Sequence, residues 1–223
     1  MSIETLYEDN HLLVVVKPPD IPVQGDISGA LDLLTLLKED IKVRFDKPGN
    51  VFLGLVHRLD RPVGGVMVFA RTSKAASRLS SLIREHRMDK TYLCVAKGAP
   101  KVSKSRLTDY LLKDSQTNTV KVVEPDTPQA KEAILDYEVL NQVNGLSLIK
   151  VKLLTGRSHQ IRVQMAHNGT PLFGDTKYGY KGEKGDNLAL WSHELEIEHP
   201  TKKERMHFTS SPPDQYPWNL FMA

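Results

Sequence analysis

The residues of this chain best suited to chemistry lie in one string, His57-Arg58-Leu59-Asp60-Arg61. The string interrupts the apolar stretch from Val51 to Ala70, and a Pro/Gly turn follows it. This pattern predicts two buried strands joined at a tight corner. A carboxylate at that corner would be held rigidly and kept ionised by the arginines on either side. Asp60 could then act as a nucleophile or a general base, or it could serve only to cap the turn.

A second candidate is Arg157, which stands where a predicted strand meets a predicted helix. The strand is the second half of a hairpin turned by Asn144-Gly145, and the helix ends near Asn168-Gly169. An anion at such a junction meets backbone N–H groups, the positive end of the helix dipole and a guanidinium together. The pattern predicts an anion site at Arg157, although an arginine that caps its own loop has the same pattern.

Three strings of the chain resemble the motifs of the RluA-type pseudouridine synthases. They are His57-Arg58-Leu59-Asp60-Arg61, Lys90-Thr91-Tyr92 and Thr155-Gly156-Arg157-Ser158-His159-Gln160-Ile161-Arg162. Segments around Lys17-Pro18 and from Gly174 to Gly179 also match the family. The resemblance covers nearly the whole chain, from Tyr7 to Phe208.

The resemblance implies a catalytic set of Asp60, Arg157 and Tyr92. In the family the aspartate attacks the target uridine of an RNA, the arginine pairs with that aspartate, and the tyrosine stacks against the target base. The same motifs imply RNA contacts through a second set of side chains: Arg58, Arg61, Lys90, His159 and Arg162. Arg58 is expected to fill the space that the flipped base leaves, or to grip the RNA backbone.

The order of predicted elements indicates an α+β fold with a mixed, largely antiparallel sheet and packed helices. Strands are predicted at 3–7, 11–17, 90–97 and 119–123, in the hairpin 131–140 and 146–154, and in a final pair at 188–197 and 205–209. Helices are predicted at 30–45, behind Thr72 or Ser73, and before Asn168. The rest of 99–129 is predicted to be a connecting segment.

The resemblance narrows this fold class to one pseudouridine synthase catalytic domain over residues 1–223. It implies a bent central sheet with an RNA-binding cleft. The catalytic domain is expected to begin at the first residues, without the accessory RNA-binding domain that precedes it in many relatives.

Composition limits which partners, cofactors and cell compartment we expect for the protein. The 223 residues carry a net charge of +3 and a pI near 8.8, which permit an anionic partner without requiring one. No apolar run approaches the roughly 18 residues of a membrane span. Cys94 is the only cysteine, so the chain has no internal disulfide, and we expect a cytoplasmic protein. We also expect no metal, no organic cofactor, no membrane contact, and a monomer that acts on a ribosomal or transfer RNA stem-loop.

The chain departs from the family pattern at two turns. Asp20 occupies a position where a glycine usually follows Lys-Pro, and Asp tolerates a left-handed backbone better than most residues. Pro62-Val63 replaces polar residues after the Asp-Arg pair, so the loop that meets RNA is expected to differ. Asp175 looks like a second carboxylate, but the resemblance gives it no chemical role, and we interpret it as a turn residue.

The predicted function is therefore an isomerase that converts specific uridines in RNA to pseudouridine. One alternative is a catalytically silent RNA-binding domain of the same fold. Another is a glycosidase or nucleosidase that uses Asp60 on a ribosyl bond. That alternative needs a second carboxylic acid to protonate the leaving group, and no clear candidate is present in the sequence.

Overall fold

The computed structural model describes residues 3–25, 29–183 and 185–222. It confirms the α+β class: within these residues three α-helices accompany eleven β-strands, and most of the strand pairs are antiparallel. The chain forms two compact units, Met1–Asp89 with Ser192–Ser211, and Lys90–Trp191 with Pro212–Ala223. Each unit is described by itself, and the single catalytic domain over 1–223 stays a prediction.

The first unit is a sheet with two helices. Its sheet runs in the order β1, β2, β4, β10, with β11 paired to β10 and the short β3 paired to β4. Its elements are β1 (Thr5–Glu8), β2 (Leu12–Lys17), α1 (Leu33–Arg44), β3 (Gly54–Leu55), β4 (Gly64–Ala70), α2 (Ser73–Arg84), β10 (Leu190–Glu198, in this unit from Ser192) and β11 (Arg205–Thr209).

Strands β2 and β4 form the centre of the first unit, and every residue of both is buried. Because both faces are covered, the two strands have continuous apolar runs in place of alternation. Helix α2 begins at its N-cap Thr72, as predicted, and packs Ala75, Leu79 and Leu82 into the same apolar cluster as Val66 and Val68. Burial of each such leucine contributes roughly 1.5 to 3 kcal/mol, so this packing rigidly supports the segment that enters β4.

The second unit is a five-stranded antiparallel sheet in the order β5, β9, β8, β6, β7. Helix α3 packs on it through Val163, which contacts Leu111, Val120 and Ala133. The elements are β5 (Asp89–Lys97, in this unit from Lys90), β6 (Lys104–Asp114), β7 (Thr119–Val123), β8 (Lys131–Val143), β9 (Leu146–Leu153), α3 (Gln160–His167) and two 3-10 helices (Thr176–Tyr178 and Trp218–Phe221).

Two predicted features differ from the structure. The first predicted strand of the corner is only two residues long, because Val68 of β4 donates its N–H to Nε2 of His57 (3.1 Å), which ends the ladder of β3 with β4. Strand β6 was missed and lies where an irregular excursion was predicted. Its residues are polar on both faces, Leu111 is its one buried side chain, and pairing with β7 and β8 maintains it.

Candidate active site

Asp60 lies in a tight turn that opens into β4. Its carbonyl oxygen accepts a hydrogen bond from the N–H of Val63 (3.0 Å), and the apolar side chains of Leu59 and Val63 are buried on either side. Asp60 itself is half-buried, whereas Arg58 and Arg61 are exposed. The turn therefore fixes the backbone that carries the carboxylate and leaves the two arginines at the surface.

A buried lysine supports this turn from below. Lys17, the last residue of β2, has no exposed surface, and its Nζ donates to the carbonyl oxygens of Pro18 (2.9 Å), Arg61 (2.9 Å) and Val63 (2.7 Å). Burial lowers the pKa of Lys17 to about 8, while the charges of Asp20 and Asp60 act in the opposite direction. A cation therefore lies beneath the turn and binds two of its carbonyl groups.

Lys17 belongs to the Lys17-Pro18 motif segment but is absent from the predicted site residues. The available signal was a lysine at the end of the apolar run Leu12-Leu13-Val14-Val15-Val16, directly before Pro18. A lysine there must either leave the core or find buried acceptors.

The loop around Asp20 keeps the shape that a glycine would give. Asp20 adopts a left-handed conformation with φ of 64°, and its carbonyl oxygen accepts a hydrogen bond from Nε of Arg61 (3.1 Å). The predicted turn therefore persists despite the departure from the family pattern. Arg61 helps to join this loop to the turn of Asp60, in addition to any contact with RNA.

In the second unit, Lys90 and Tyr92 lie two residues apart on one face of β5. Lys90 is opposite Leu153 of β9 and Tyr92 is opposite Val151. Tyr92 is 6% exposed, and burial lowers the pKa of Lys90 to about 8. Because Leu153 is the last residue of β9, Lys90 lies at the end of the sheet from which the Arg157 loop departs.

Arg157 is exposed and lies in a loop that Gln160 fixes. The side-chain oxygen of Gln160 accepts from the N–H of Arg157 (2.9 Å) and from the hydroxyl of Thr155 (2.9 Å), and its amide nitrogen donates to Ile134 O (3.0 Å). Nε of Arg157 donates to Glu132 O (2.8 Å), which sets the direction of the guanidinium. Gln160 was not predicted as a functional residue; its position in the first helical turn after the arginine was the available signal.

His159 and Arg162 have different surroundings. His159 is half-buried, adopts a left-handed conformation before α3, and contacts the Tyr178 hydroxyl through Nδ1. Arg162 is 7% exposed and binds the carboxylate of Asp175 through Nε (2.8 Å) and Nη2 (2.7 Å). This position differs from that expected of an RNA contact. Asp175 also has more than a turn role, because its side chain pairs with Arg162.

The structure therefore gathers the predicted residues in two groups. Arg58, Asp60 and Arg61 share one turn of the first unit. Lys90, Tyr92, Arg157 and His159 lie on β5 and the loop after β9 in the second unit. The pair of Asp60 with Arg157 joins one residue of each group and stays a prediction.

Within residues 3–25, 29–183 and 185–222, no cluster of three or more His, Cys, Asp or Glu side chains is arranged to hold a metal ion. No helix in these same ranges combines the length and apolarity needed to span a bilayer.

Comparison with protein families gives one match over most of the chain. Residues 11–167 match the model of a family described as RNA pseudouridylate synthase. This range includes Asp60, Tyr92 and Arg157.

Curated proteins give similar results. A protein of Vibrio parahaemolyticus named ribosomal large subunit pseudouridine synthase C is 31% identical over 215 residues, which cover 92% of this chain and 64% of the relative. An Aquifex aeolicus protein named uncharacterized RNA pseudouridine synthase is 32% identical over 233 residues, covering 97% of this chain and 71% of the relative. This chain spans slightly less than two thirds of the length of the Vibrio protein.

Solved structures share the fold. The human protein titled RNA pseudouridylate synthase domain containing 4 superposes with a TM-score of 0.80 at 23% identity, covering 94% of this chain and 88% of its own. The human protein titled RNA pseudouridylate synthase domain containing 1 has a TM-score of 0.76 at 25% identity, covering 96% and 85%. These structures therefore share the fold that the sequence motifs imply for this chain.

Proposed function

Because the chain belongs to the family of RNA pseudouridylate synthases, we propose that it isomerises specific uridines in RNA to pseudouridine. The observation that carries this proposal is the family match over residues 11–167, which contains the rigid turn of Asp60 and the Gln160-fixed loop of Arg157.

The reaction breaks the bond between N1 of uracil and C1′ of ribose and forms a bond between C5 and C1′. The C5 proton is released to solvent and N1 takes up a proton, so the product is an isomer of the substrate. No electrons are gained or lost overall. We accordingly propose that the chain needs neither a metal nor an organic cofactor.

Asp60 is the proposed nucleophile or base of this reaction. It attacks the sugar, attacks the ring, or removes a proton from the sugar, and each route requires an ionised carboxylate. Within the first unit, Lys17 holds the backbone of the turn that carries this carboxylate, through its bonds to Arg61 O and Val63 O. We propose that Arg157 pairs with Asp60 and directs the carboxylate, using the guanidinium N–H groups other than the Nε that binds Glu132.

The remaining residues have proposed roles in holding the RNA. The target base must leave its stack, at a cost of a few kcal/mol, before a carboxylate can reach it. Tyr92 packs on the flipped uracil, and Arg58 fills the vacated space or grips the backbone. Lys90 and His159 contact the flanking RNA. Arg61, which binds Asp20 O, also contacts the flanking RNA. Arg162 is left out of this set because its guanidinium is bound to Asp175.

The names of the Vibrio relative and its counterparts favour a uridine of large-subunit ribosomal RNA as the substrate. A transfer RNA stem-loop is the alternative that the experiment below would detect.

We further propose that residues 1–223 act as one catalytic domain and a cytoplasmic monomer. Light scattering after size-exclusion chromatography would test the monomer, and a larger mass would contradict it.

The proposal is tested by tritium release from RNA labelled at C5 of uridine. The protein should release tritium from labelled ribosomal RNA and not from labelled transfer RNA, and release from transfer RNA alone would identify the alternative substrate. Asp60→Asn should release none above background and should keep its affinity for the RNA. Asp126→Asn, which removes an exposed carboxylate from another loop, is the matched control and should react like the parent.

Three outcomes would contradict this assignment. No tritium release by the parent would favour a silent RNA-binding domain. Free uracil with an abasic sugar would favour a nucleosidase. Turnover by Asp60→Asn close to that of the parent would remove Asp60 from the chemistry.

A separate experiment identifies the modified uridine. It maps pseudouridine position by position in RNA from a deletion strain.

A further inference from the structure

The outer side of helix α2 carries a row of cations and hydroxyls, which we call the α2 stripe. Residues three and four positions apart share one side of a helix. On α2 this side carries Lys74, Ser77, Arg78, Ser81 and Arg84. Ser81 is half-buried and the other four are exposed. At a rise of about 1.5 Å per residue, the stripe is about 15 Å long.

Neutral oxygens orient the arginines of the α2 stripe. Nη2 of Arg84 donates to Oγ of Ser81 (2.8 Å), and Nη1 of Arg78 donates to the carbonyl oxygen of Pro200 (3.0 Å). The twelve residues of α2 include no aspartate or glutamate. The two guanidinium groups are therefore held at the surface by acceptors that do not cancel their charge.

A neighbouring group of arginines in the same unit is paired with carboxylates. Arg87, just after α2, binds Glu198 (2.7 Å) and Glu85 (3.3 Å), and Arg205 of β11 binds Glu196 (2.7 Å). The positive charge of these arginines is compensated within the protein. The α2 stripe differs from them in presenting cations beside hydroxyls, which suits an extended polyanion.

We propose that the α2 stripe is a second RNA-binding surface, which binds the phosphate backbone of the substrate outside the reacting nucleotide. Arg, Lys and Ser side chains are common donors to phosphate oxygens, and such contacts add affinity without reading the base sequence. The stripe supplies both cations and hydroxyls along one line. The identity of this ligand rests on the proposed function, because the family match is what indicates an RNA substrate.

The apolar side of α2 argues against a membrane as the partner of these cations. A basic amphipathic helix can lie on anionic lipids when its apolar side inserts among them. On α2 that side is Ala75, Leu79 and Leu82, which are buried in the same cluster as Val66 and Val68. The core of the protein therefore occupies the apolar side, and the cationic side faces solvent.

The α2 stripe begins at a distance from the candidate nucleophile. Strand β4 starts four residues after Asp60 and ends at Ala70, and α2 follows at Ser73. Seven extended residues span roughly 20 Å, so Lys74 lies about that far along the first unit from the turn of Asp60. An RNA that binds at both places must therefore extend well beyond the target uridine.

Neutralising the α2 stripe tests this surface. Lys74→Gln with Arg84→Gln removes two charges and leaves the bond of Arg78 in place, and glutamine has a helix propensity close to that of lysine and arginine. The matched control is Arg87→Gln with Arg205→Gln, which removes two charges from paired, exposed arginines of the same unit. Filter binding of a large-subunit ribosomal RNA transcript is measured over a range of salt concentrations.

The stripe variant should bind this RNA roughly tenfold more weakly near 0.1 M salt. The slope of log Kd against log salt should fall in magnitude by about 1.4 to 1.8, because each lost phosphate contact removes about 0.7 to 0.9. In tritium release KM should rise while kcat stays the same, since the stripe binds substrate and transition state equally. Equal losses in the stripe variant and the control, or a lower kcat with an unchanged KM, would overturn the proposal.

A cross-link locates the RNA on the protein. Because Cys94 is buried, a cysteine introduced at the exposed Ser77 can be labelled selectively with a photoactivatable aryl azide. Labelled Ser77→Cys should cross-link to the transcript on irradiation, and added salt should suppress the product. Glu39→Cys, at an exposed position of α1, is the control and should give little product. More product from Glu39→Cys than from Ser77→Cys would contradict the proposal.

These measurements separate the α2 stripe from the proposed function. A parent that binds RNA through the stripe and releases no tritium would contradict the isomerase and support the surface. Tritium release that the stripe variant performs like the parent, at RNA concentrations below KM, would contradict the surface and support the isomerase.

Discussion

The ammonium group of Lys17 donates to the carbonyl oxygen of Val63 at 2.7 Å from a side chain with no exposure to solvent. Val63 is also the residue whose N–H closes the turn of Asp60. The lysine at the end of β2 therefore fixes the entry into β4 and the orientation of the candidate nucleophile together. It supplies both a cation and a support for the backbone, and these two roles can be separated by mutation.

Replacement of Lys17 by methionine should damage stability and activity together. Lys17→Met keeps the length of the side chain and leaves three carbonyl oxygens without their donor, so the free energy of unfolding should fall by roughly 2 to 4 kcal/mol. Turnover should fall about 100-fold even at temperatures where the variant is folded, since a small displacement of Asp60 is enough for that loss. Denaturant unfolding and tritium release measure the two effects. Lys42→Met, on the exposed end of α1, is the control, and a Lys17→Met variant as active as this control would contradict the role.

Removal of the Arg157 guanidinium should abolish most of the rate without unfolding the protein. Arg157→Ala removes an exposed side chain that donates a hydrogen bond to Glu132 O, so the melting temperature should change little. Turnover should fall by at least about 100-fold, because the proposed partner of Asp60 is lost. Arg106→Ala removes an equally exposed arginine of the second unit and should keep full activity. A turnover number of Arg157→Ala close to that of Arg106→Ala would remove Arg157 from the catalytic set.

Lys90 gives a prediction for the pH dependence of RNA binding. Burial lowers its pKa to about 8 in the free protein, so the ammonium is charged below that pH and neutral above it. A nearby phosphate favours the charged form, so RNA binding above pH 8 must take up a proton. Kd should therefore rise between pH 8 and 9.5, by up to about tenfold per pH unit. Filter binding at constant salt measures this dependence.

Two variants isolate the contribution of Lys90 from that of other titrating groups. Lys90→Arg stays protonated through this pH range, so the rise in Kd should be smaller than in the parent. Lys90→Met should bind weakly at pH 7 and show a similarly reduced rise. Identical curves for the parent and Lys90→Arg would show that Lys90 does not contact the RNA.

The buried pair of Arg162 and Asp175 should contribute to stability and not to RNA binding. Asp175→Asn leaves the guanidinium buried without its carboxylate, and the free energy of unfolding should fall by about 3 to 5 kcal/mol. Asp136→Asn breaks the exposed pair with Arg106 and should leave the free energy of unfolding nearly unchanged. Denaturant unfolding compares the two.

The RNA side of this prediction is measured on Arg162→Met. Its salt dependence of RNA binding should equal that of the parent, because the buried guanidinium neutralises no phosphate. A decrease in the slope of about one unit would restore Arg162 to the set of RNA contacts.

Local signals were sufficient for much of the fold. Helix α2 begins at the predicted Thr72, and the hairpin of β8 and β9 turns at Asn144-Gly145, both with positive φ. Each of these features is fixed by residues a few positions apart. The turn of Asp60 is predicted for the same reason, since Val63, three residues after Asp60, closes it.

Contacts between distant residues explain why the role of Lys17 and strand β6 could not be predicted from the sequence. Lys17 binds carbonyl groups 44 and 46 positions away, and no local pattern specifies that partner. Strand β6 depends on its pairing with β7 and β8 more than on its own alternation. The pairing of Arg162 with Asp175 inside the protein is likewise not specified by the motif that contains Arg162.

The left-handed backbone of Asp20 has a consequence for how this family can diverge. Glycine, asparagine and aspartate tolerate such a conformation, and most other residues pay about 1 to 2 kcal/mol for it. Exchange of Asp20 for glycine should therefore be nearly neutral and leave the main chain unaltered. The residue at position 20 can change in this way while the shape of the turn persists.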